Sequence, residues 1–341
     1  MGAERSAVNR QIRLAARPSG LPEPSDWSLV EEPLPTPGEG EFVVQISHIS
    51  LDPAMRGWMN AGASYVDPVE VGDVMRAGCV GRVSASAHPG FAVGEHVYGT
   101  FGVQEHALSN GKGAIKVDPS LAPLPTYLGT LGMTGLTAYF GMLDVGKVQR
   151  GDTVVVSGAA GAVGNVAGQI GKLKGARVIG IAGGPEKCRW LVEELGFDAA
   201  VDYKSEDVRR TLRTLAPEGV DVFFDNVGGE ILDAVLTRLA RGARIVICGA
   251  VSQYNNTGPM RGPSNYMALL VFRATMTGMV VFDYAARYGE ATAELAGWLR
   301  DGLIRSREDV VEGGVEDFHD TLLKLFEGAN VGKLVLRLGE D

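Results

Sequence analysis

Hydrophobic positions divide the chain into two stretches with different periods. Before about residue 125, short apolar runs such as Glu41–Ile46, Cys79–Val83 and His96–Gly99 are separated by glycine and proline. Short strands at this spacing predict an irregular β-barrel. After the proline-rich segment Asp118–Pro125, from Met133 to about residue 295, β-branched runs alternate with stretches of helical apolar spacing. This alternation predicts a doubly wound parallel sheet with helices on its faces.

Individual elements of the second stretch follow from the same pattern. The predicted strands are Thr153–Ser157, Arg177–Ile181, Ala199–Asp202, Val220–Asp225, Arg244–Ala250 and Thr275–Val281. The predicted helices are Val163–Lys174, Glu186–Leu195, Glu206–Leu215 and Glu230–Leu239. Gly168 and Gly171, inside the first helix, are expected to allow close approach of helix and sheet. Further on, we predict a helix over Val315–Phe326 and a last strand over Lys333–Leu338 that returns to the N-terminal barrel.

A glycine-rich turn follows the first of these strands directly. The run Val154–Val156 leads into Gly158-Ala-Ala-Gly-Ala-Val-Gly164, and a helical pattern begins there. Strand, glycine turn and helix in this order form a diphosphate site, because backbone N–H groups at the helix N-terminus face the anion. The spacing is GxxGxxG rather than GxGxxG, so on this motif alone an ordinary tight turn remains the alternative.

The end of the next predicted strand indicates which dinucleotide the turn would bind. An NAD site normally places an Asp or Glu there, to accept from the ribose 2′-hydroxyl. Here the position is Ala182 or Gly183, and Lys187 follows in a helix that begins at Pro185. A missing carboxylate beside a cation favours NADPH over NADH. The alternative is that Lys187 is an ordinary solvated lysine.

Composition and charge narrow the class of protein. The 341 residues provide enough chain for two domains, and 45% hydrophobic with 21% charged residues is typical of a soluble globular protein. A net charge of −9 without a basic run argues against nucleic acid as a partner. Three scattered cysteines indicate a reducing cytoplasm. We expect no membrane span, and we do not expect Met1–Ser6 to be a signal peptide. Met1–Ser6 matches a myristoylation pattern, but no cluster of basic residues supports that match.

Six segments together resemble the medium-chain dehydrogenase/reductase superfamily, and within it the zinc-free prostaglandin reductase and NADPH-dependent curcumin reductase (2-alkenal/2-alkenone reductase) branch. They are Leu51–Arg56, Leu131–Tyr139, Gly158–Gly164, Phe224–Gly229, Cys248–Asn255 and Gly328–Lys333. The resemblance implies an α/β protein with two domains. Residues 1–130 and 297–341 would form a GroES-like irregular β-barrel catalytic domain, and residues 131–296 a Rossmann NADPH-binding domain, with a cleft between them.

The resemblance also implies a set of cofactor contacts. Lys187 and Tyr203 would bind the 2′-phosphate, the glycine turn the diphosphate, and Met133 and Thr137 the nicotinamide side. The full implied set is Pro53, Met133, Thr137, Gly158, Ala160, Gly161, Ala162, Val163, Lys187, Tyr203, Asn226, Cys248, Gly249, Ala250, Tyr254, Val280, Phe282, Asn330 and Gly332. Val280 and Phe282 would act through main-chain groups. This sequence has Ala54 where many relatives carry tyrosine, and the loop Asn60–Tyr65 varies within the branch.

Catalysis without zinc is the expectation from the residue types. Three cysteines cannot form a structural four-cysteine site, and the barrel half has no Gly-His-Glu motif. A site of His88, His96, His106 and an acid remains the alternative. Cys248 lies at the end of a core strand, which argues against a nucleophilic role. Tyr254, after a strand end, is the first candidate to stabilise an oxyanion, and Tyr65 the second; for Tyr254 the alternative is a bond to the cofactor ribose, and for Tyr65 a structural role.

We therefore expect an NADP-dependent oxidoreductase that reduces the C=C bond of α,β-unsaturated ketones or aldehydes. Hydride would add to the β-carbon, and Tyr254 would stabilise the enolate. An NADPH:quinone oxidoreductase and a non-catalytic NADPH-binding protein are the alternatives. The apolar run Gly278–Phe282 falls where an edge strand is expected, which predicts a homodimer. The sequence specifies neither the natural substrate nor the proton donor.

Overall fold

The computed structural model describes residues 8–62, 64–259 and 261–339, so the patterns at Met1–Ser6 lie outside the described residues. Its strands are β1 (Val8–Leu14), β2 (Trp27–Pro33), β3 (Phe42–Ser50), β4 (Gly78–Ser86), β5 (His96–Thr100), β6 (His106–Ser109), β7 (Ile115–Val117), β8 (Thr153–Ser157), β9 (Arg177–Ala182), β10 (Ala199–Asp202), β11 (Val220–Asp225), β12 (Leu239–Ile247), β13 (Thr275–Gly278), β14 (Glu308–Gly313) and β15 (Lys333–Leu338).

The helices complete the element order. The α-helices are α1 (Ala54–Trp58), α2 (Met133–Phe140), α3 (Ala162–Leu173), α4 (Pro185–Arg189), α5 (Val208–Leu215), α6 (Gly229–Leu236), α7 (Ala268–Phe272), α8 (Tyr288–Arg300) and α9 (Phe318–Glu327). Short 3-10 turns span Pro24–Asp26, Leu124–Tyr127, Val251–Gln253, Val281–Arg287 and Val315–Asp317, and π-helical turns span Gly141–Val145 and Trp190–Glu194. Among the described residues, no helix combines the length and apolar character that crossing a bilayer requires.

The chain divides into two compact units. The terminal unit runs up to Leu128 and resumes at Glu308, and the central unit is Gly129–Arg307. The predicted divisions were 130/131 and 296/297. Leu128 packs with Val80 and Val335, which keeps it in the terminal unit. The predicted division at 296/297 lies inside α8, and Arg305 N donates to Gln169 Oε1 at 2.7 Å, so the segment after α8 stays with the central unit.

The terminal unit is a mainly antiparallel β structure. A seven-stranded sheet has the order β14-β15-β3-β4-β5-β7, with β6 also paired to β3, and β1 and β2 form a second, two-stranded sheet. The last strand, β15, pairs antiparallel with β3, where Val335 faces Ser50. The prediction that the chain's last strand returns to the N-terminal region is therefore confirmed.

The central unit is the predicted doubly wound sheet. Six strands pair in the order β10-β9-β8-β11-β12-β13, and every neighbouring pair is parallel. This is the order 3-2-1-4-5-6 of dinucleotide-binding folds. Strand residues such as Val155 and Phe223 are fully buried against Leu212 and Leu236 of the covering helices. Strands β8, β10 and β11 have the predicted bounds residue for residue. The centre of β8, Val154–Val156, is an uninterrupted apolar run that is fully buried, as in strands covered on both faces.

Two predicted strands end too late. The strand predicted to reach Ala250 ends at Ile247, because the amides of Cys248 and Gly249 donate to Asp225 O at 2.9 and 3.1 Å instead of continuing the ladder. The strand predicted to reach Val281 ends at Gly278, and a 3-10 turn begins at Val281. In both places the chain turns out of the sheet at its carboxyl edge. Strand β13 ends the sheet, but the apolar run Gly278–Phe282, which was predicted to form the edge strand, contributes only Gly278 to it.

Gly171 permits the close approach of α3 to the sheet that the sequence predicts, whereas Gly168 packs against Phe197, which lies outside the strands. A Cβ atom on Gly168 would lie 1.9 Å from Cζ of Phe197, and one on Gly171 would lie 3.0 Å from Cγ2 of Val178 on β9. The first distance leaves no room for any side chain at position 168. Each glycine inside a helix costs about 1 kcal/mol of helix propensity relative to alanine. The close packing that these glycines permit offsets this cost.

Candidate cofactor and active site

The glycine turn lies at the carboxyl end of β8, beside β11, where the order of the sheet reverses. Gly158 has φ +57°, a conformation that favours glycine, and Gly161 precedes the first residue of α3. A Cβ on Gly164 would lie 2.3 Å from Gly158 O, so the first turn of α3 packs directly on the loop. Because Gly161 brings no side chain to cap α3, the first N–H groups of the helix face the space in front of the turn.

A buried carboxylate holds the two strand ends at this point together. Asp225, fully buried at the end of β11, accepts from Ser157 Oγ at 2.7 Å and from the amides of Val227 and Gly228 at 3.0 Å. Asn226 donates from its amide to Ser157 Oγ at 2.9 Å and from Nδ2 to Ser157 O at 2.7 Å. Burial raises the pKa of Asp225 despite these donors. The network fixes the position of Asn226, a predicted cofactor residue.

The predicted 2′-phosphate residues lie at the ends of β9 and β10. Lys187 is half-buried on α4, and Tyr203, 44% exposed, comes directly after β10. Tyr203 N donates to Ala182 O at 3.1 Å, which continues the alignment of the two strands by one residue. Lys187 and Tyr203 therefore both follow carboxyl ends of neighbouring parallel strands.

The end of β12 carries the predicted catalytic tyrosine. After Gly249 the chain makes a 3-10 turn over Val251–Gln253, and Tyr254 folds back so that its hydroxyl oxygen accepts from Ala250 N at 3.2 Å. Burial, helped by the negative charge of Asp225, raises the pKa of Cys248 to about 12. A thiol with that pKa stays protonated at neutral pH, which agrees with the sequence argument against a nucleophilic Cys248.

The remaining predicted contacts of the central unit lie on α2 and after β13. Met133 and Thr137 are half-buried, one helical turn apart, and Thr137 Oγ1 donates to Met133 O at 2.8 Å. Val280 precedes the 3-10 turn Val281–Arg287, and Phe282 is 42% exposed within it. The predicted contacts therefore occur at the carboxyl ends of strands from both edges of the sheet, β10 and β13, as well as from its middle.

In the terminal unit, the predicted contacts occur on two neighbouring segments. Pro53 immediately precedes α1, whose first residue is Ala54. Asn330 donates from Nδ2 to Gly332 O at 2.9 Å, and Gly332 has φ +75°. Tyr65, the second catalytic candidate, lies in the loop between α1 and β4 and is 55% exposed.

Sequence reasoning missed the group that joins these two segments. Lys333, 2% exposed, donates from Nζ to Asp52 Oδ1 at 2.9 Å and to Leu51 O at 2.5 Å, and Ser50 Oγ donates to the other oxygen of Asp52. Burial lowers the pKa of Lys333. A lysine at the start of the apolar run Leu334–Leu336 was the available signal. Asp52 and Lys333 each stand next to a predicted cofactor residue, Pro53 and Gly332.

The residue types expected in a zinc site do not come together in the part of the chain that the structure describes. Within residues 8–62, 64–259 and 261–339, no three His, Cys, Asp or Glu side chains are grouped as metal ligands would be. His88 accepts from Gly90 N at 2.9 Å and packs edge-on against Phe42. Burial raises the pKa of Cys79, and burial with nearby acids raises that of Cys188 to about 11. The alternative site of His88, His96, His106 and an acid is therefore not assembled among the described residues.

Comparison with known proteins identifies the family. Residues 10–117 match the family described as the N-terminal domain of oxidoreductase, and residues 162–297 match the family described as zinc-binding dehydrogenase. The chain is 44% identical to the putative NADP-dependent oxidoreductase YfmJ of Bacillus subtilis, with 98% of this chain and 99% of the relative covered. It is 42% identical to the NADPH-dependent curcumin reductase of Escherichia coli, with 98% of both covered.

A solved structure extends the similarity to the whole fold. CurA from Vibrio vulnificus, determined in complex with NADPH, superposes with a TM-score of 0.92 at 44% identity, over 97% of this chain and all of that chain. The mainly antiparallel unit, predicted as a GroES-like irregular β-barrel, and the Rossmann unit thus belong to a known architecture. The chain belongs to the medium-chain dehydrogenase/reductase superfamily, in the branch that contains the NADPH-dependent curcumin reductases.

Proposed function

We propose that this protein is an NADPH-dependent reductase of the C=C bond in α,β-unsaturated ketones and aldehydes. The observation that carries the proposal is the carboxyl edge of the central sheet. There a helix N-terminus without a side-chain cap, a glycine-rich turn and Tyr254 follow the ends of strands in a 3-2-1-4-5-6 sheet. Open sheets of this kind bind dinucleotides at that edge, and relatives covering nearly the whole chain are named as NADP-dependent and NADPH-dependent enzymes.

The residues present fit the cofactor. Because Gly164 has no side chain, the loop at Gly158 packs directly on the first turn of α3. A diphosphate can therefore approach the helix N–H groups. Lys187 and the hydroxyl of Tyr203 suit a 2′-phosphate, and neither Ala182 nor Gly183 offers a carboxylate to a ribose 2′-hydroxyl. Asn226, which donates two hydrogen bonds to Ser157, places its side-chain amide where the strand order of the sheet reverses.

NADPH, when bound, supplies a hydride. At the substrate, a new C–H bond forms at the β-carbon, the electrons of the C=C bond shift, and negative charge collects on the carbonyl oxygen as an enolate. A proton then adds at the α-carbon, from water in the simplest case, and the carbonyl is restored. The protein's task is to donate a hydrogen bond to the oxygen on which this charge develops.

Tyr254 suits that task. Its hydroxyl oxygen accepts from Ala250 N, and a hydroxyl that accepts one hydrogen bond is a stronger donor in the next. A phenol hydroxyl can donate one hydrogen bond while its oxygen accepts another. Tyr65 is proposed as a second donor from the terminal unit, where its exposure leaves it accessible to a ligand.

A screen of NADPH oxidation tests the proposed function against the quinone alternative. Purified protein is assayed with 2-alkenals, 2-alkenones and quinones at matched concentrations, and we expect the enals and enones to give the highest kcat/KM. A clear preference for quinones would assign the protein to quinone reduction. No turnover with any class, in protein that binds NADPH, would indicate a non-catalytic role.

We also propose that the protein is a cytoplasmic homodimer. Strand β13 is the last strand of the sheet among the described residues, and α7, which precedes it in the chain, exposes Leu270 and Val271, at 70% and 56%. A second copy pairing along β13 would cover both features. All three cysteines are free, as a reducing compartment allows. Light scattering at micromolar concentration should give twice the 36.0 kDa chain mass, and a particle of one chain mass would contradict the dimer.

A further inference from the structure

The turn after β10 lies directly beside the turn after β9. Asp202 is aligned with Ala182 in the parallel pair of strands, and Tyr203 N donates to Ala182 O at 3.1 Å. The next residues along the two chains are Tyr203 and Gly183, followed by Lys204 and Gly184. Lys204 is exposed and was not among the predicted cofactor contacts.

The side chains of Tyr203 and Lys204 occupy the space that a side chain at position 183 would need. A Cβ on Gly183 would lie 2.9 Å from Tyr203 Oη and 3.0 Å from Lys204 Cε, the carbon that carries the ammonium group. Position 183 follows the strand end where an NADH-selecting carboxylate would stand. The place of that carboxylate is thus taken by a phenol and a lysine side chain.

Nearby carboxylates are engaged within the turn itself. Asp202 Oδ1 accepts from the amides of Gly184 and Lys204 at 2.7 and 3.0 Å, and Oδ2 accepts from Ser205 Oγ at 2.8 Å. These donors, the Gly184 amide first, lower the pKa of Asp202. Glu206 accepts from Asp202 N at 3.0 Å and from Thr211 Oγ1 at 3.2 Å. Asp202 therefore ties the two turns together and fixes the backbone of Lys204.

We propose that Lys204 is a second cation for the 2′-phosphate of NADPH, and a residue that determines preference for NADPH over NADH. The inference rests on the proposed use of NADPH. A phosphate monoester carries about −1.5 to −2 charges at neutral pH, so Lys187 alone leaves part of that charge unbalanced. Lys204 supplies the missing charge from the neighbouring strand end, across the space that Gly183 leaves open.

Calorimetric titration of the full-length protein with 2′,5′-ADP and 5′-AMP separates the 2′-phosphate from the rest of the nucleotide. Lys204→Ala should weaken 2′,5′-ADP binding about tenfold, the low end of a charged hydrogen bond, with 5′-AMP affinity unchanged. Lys204→Arg should retain most of the affinity, because it keeps the charge. Arg213→Ala is the matched control: it removes one exposed positive charge from the last turn of α5, which leads away from this edge of the sheet.

The two probes distinguish failure of this inference from failure of the proposed cofactor. If the unmodified protein binds 2′,5′-ADP no better than 5′-AMP, the preference for NADPH is wrong, and the role of Lys204 falls with it. If the unmodified protein prefers 2′,5′-ADP but Lys204→Ala leaves that preference intact, only the assignment of Lys204 is overturned. Equal losses for both ligands, or an equal loss in Arg213→Ala, would overturn it as well.

Discussion

The buried carboxylates Asp52 and Asp225 each lie beside predicted cofactor residues, one in each unit, and their hydrogen-bond partners differ in kind. Asp52, in the terminal unit, pairs with the buried ammonium of Lys333, and Ser50 completes its contacts. Asp225, in the central unit, accepts from neutral donors, the hydroxyl of Ser157 and the following backbone amides. The difference follows the architecture. At the end of the parallel strand β11, the backbone amides of the following turn donate to Asp225. In the terminal unit, the side chains of Asp52 and Lys333 join two segments that are far apart in the sequence.

The largest expected effect comes from breaking the ion pair. Lys333→Met leaves Asp52 buried without its counter-charge, which should lower the free energy of unfolding by about 3–5 kcal/mol. Urea unfolding followed by circular dichroism measures this loss. The double variant Asp52→Leu/Lys333→Met should recover most of the stability, because a buried pair is often replaceable by apolar residues. A double variant no more stable than the single one would show that the pair itself stabilises the fold.

The two units also differ in their candidate tyrosines. Tyr254→Phe should lower kcat about a hundredfold, because losing one donor to a developing oxyanion costs about 2.7–4 kcal/mol. Tyr65→Phe removes the same hydroxyl from an exposed loop of the terminal unit and should cost much less. Steady-state kinetics with one enone, with NADPH saturating, compares the two variants. Equal losses would contradict the leading role given to Tyr254.

Replacing the second carboxylate should have a milder effect than breaking the ion pair. Asp225→Asn keeps one oxygen acceptor and volume but removes the charge, and hydrogen bonds to charged groups contribute roughly 1.5–3 kcal/mol. Because burial already disfavours the charge, we expect a loss of stability at the lower end of that range. NADPH affinity should fall with it, since Ser157 and Asn226 lose their anchor. Fluorescence titration measures that affinity, and an unchanged value would argue against the anchoring role.

The smallest effect is a difference in pH dependence. The pKa of Asp225 is raised on folding, so the native state binds more protons, and its contribution to stability should fall as pH rises from about 3.9, the usual pKa of Asp. Lys333 has a lowered pKa, so its contribution should rise as pH increases toward about 10.4, the usual pKa of Lys. The unfolding free energy of each variant, subtracted from that of the unmodified protein across pH, isolates the two slopes. Slopes of the same sign would contradict the comparison.

Local sequence predicts the central unit well, because its signals are contiguous. The run Val154–Val156 and the glycines after it specify a strand, a turn and a helix without reference to distant residues. The pair of Asp52 and Lys333 joins residues 281 positions apart, and no local pattern connects them. Helix α8 escaped prediction because small residues dominate it, and only Ala291 and Leu295 are buried. The predicted domain division therefore cut through it.

The contacts of the Tyr254 and Lys204 side chains could not be predicted from the sequence either, because they too depend on tertiary structure. The contact of Tyr254 with Ala250 N depends on a 3-10 turn that has no apolar period to reveal it. The position of Lys204 beside Gly183 depends on the register of two parallel strands. In both cases the residue was visible in the sequence, but its neighbour was set by tertiary structure.

The destination of the hydride is the most direct test of the proposed reaction. The protein is incubated with an enone and NADPH deuterated at the transferring position, and the product is analysed by NMR. We expect deuterium at the β-carbon of a saturated ketone whose carbonyl is intact. Deuterium at the carbonyl carbon of an allylic alcohol would show that the protein reduces carbonyl groups and would contradict the proposed C=C reduction.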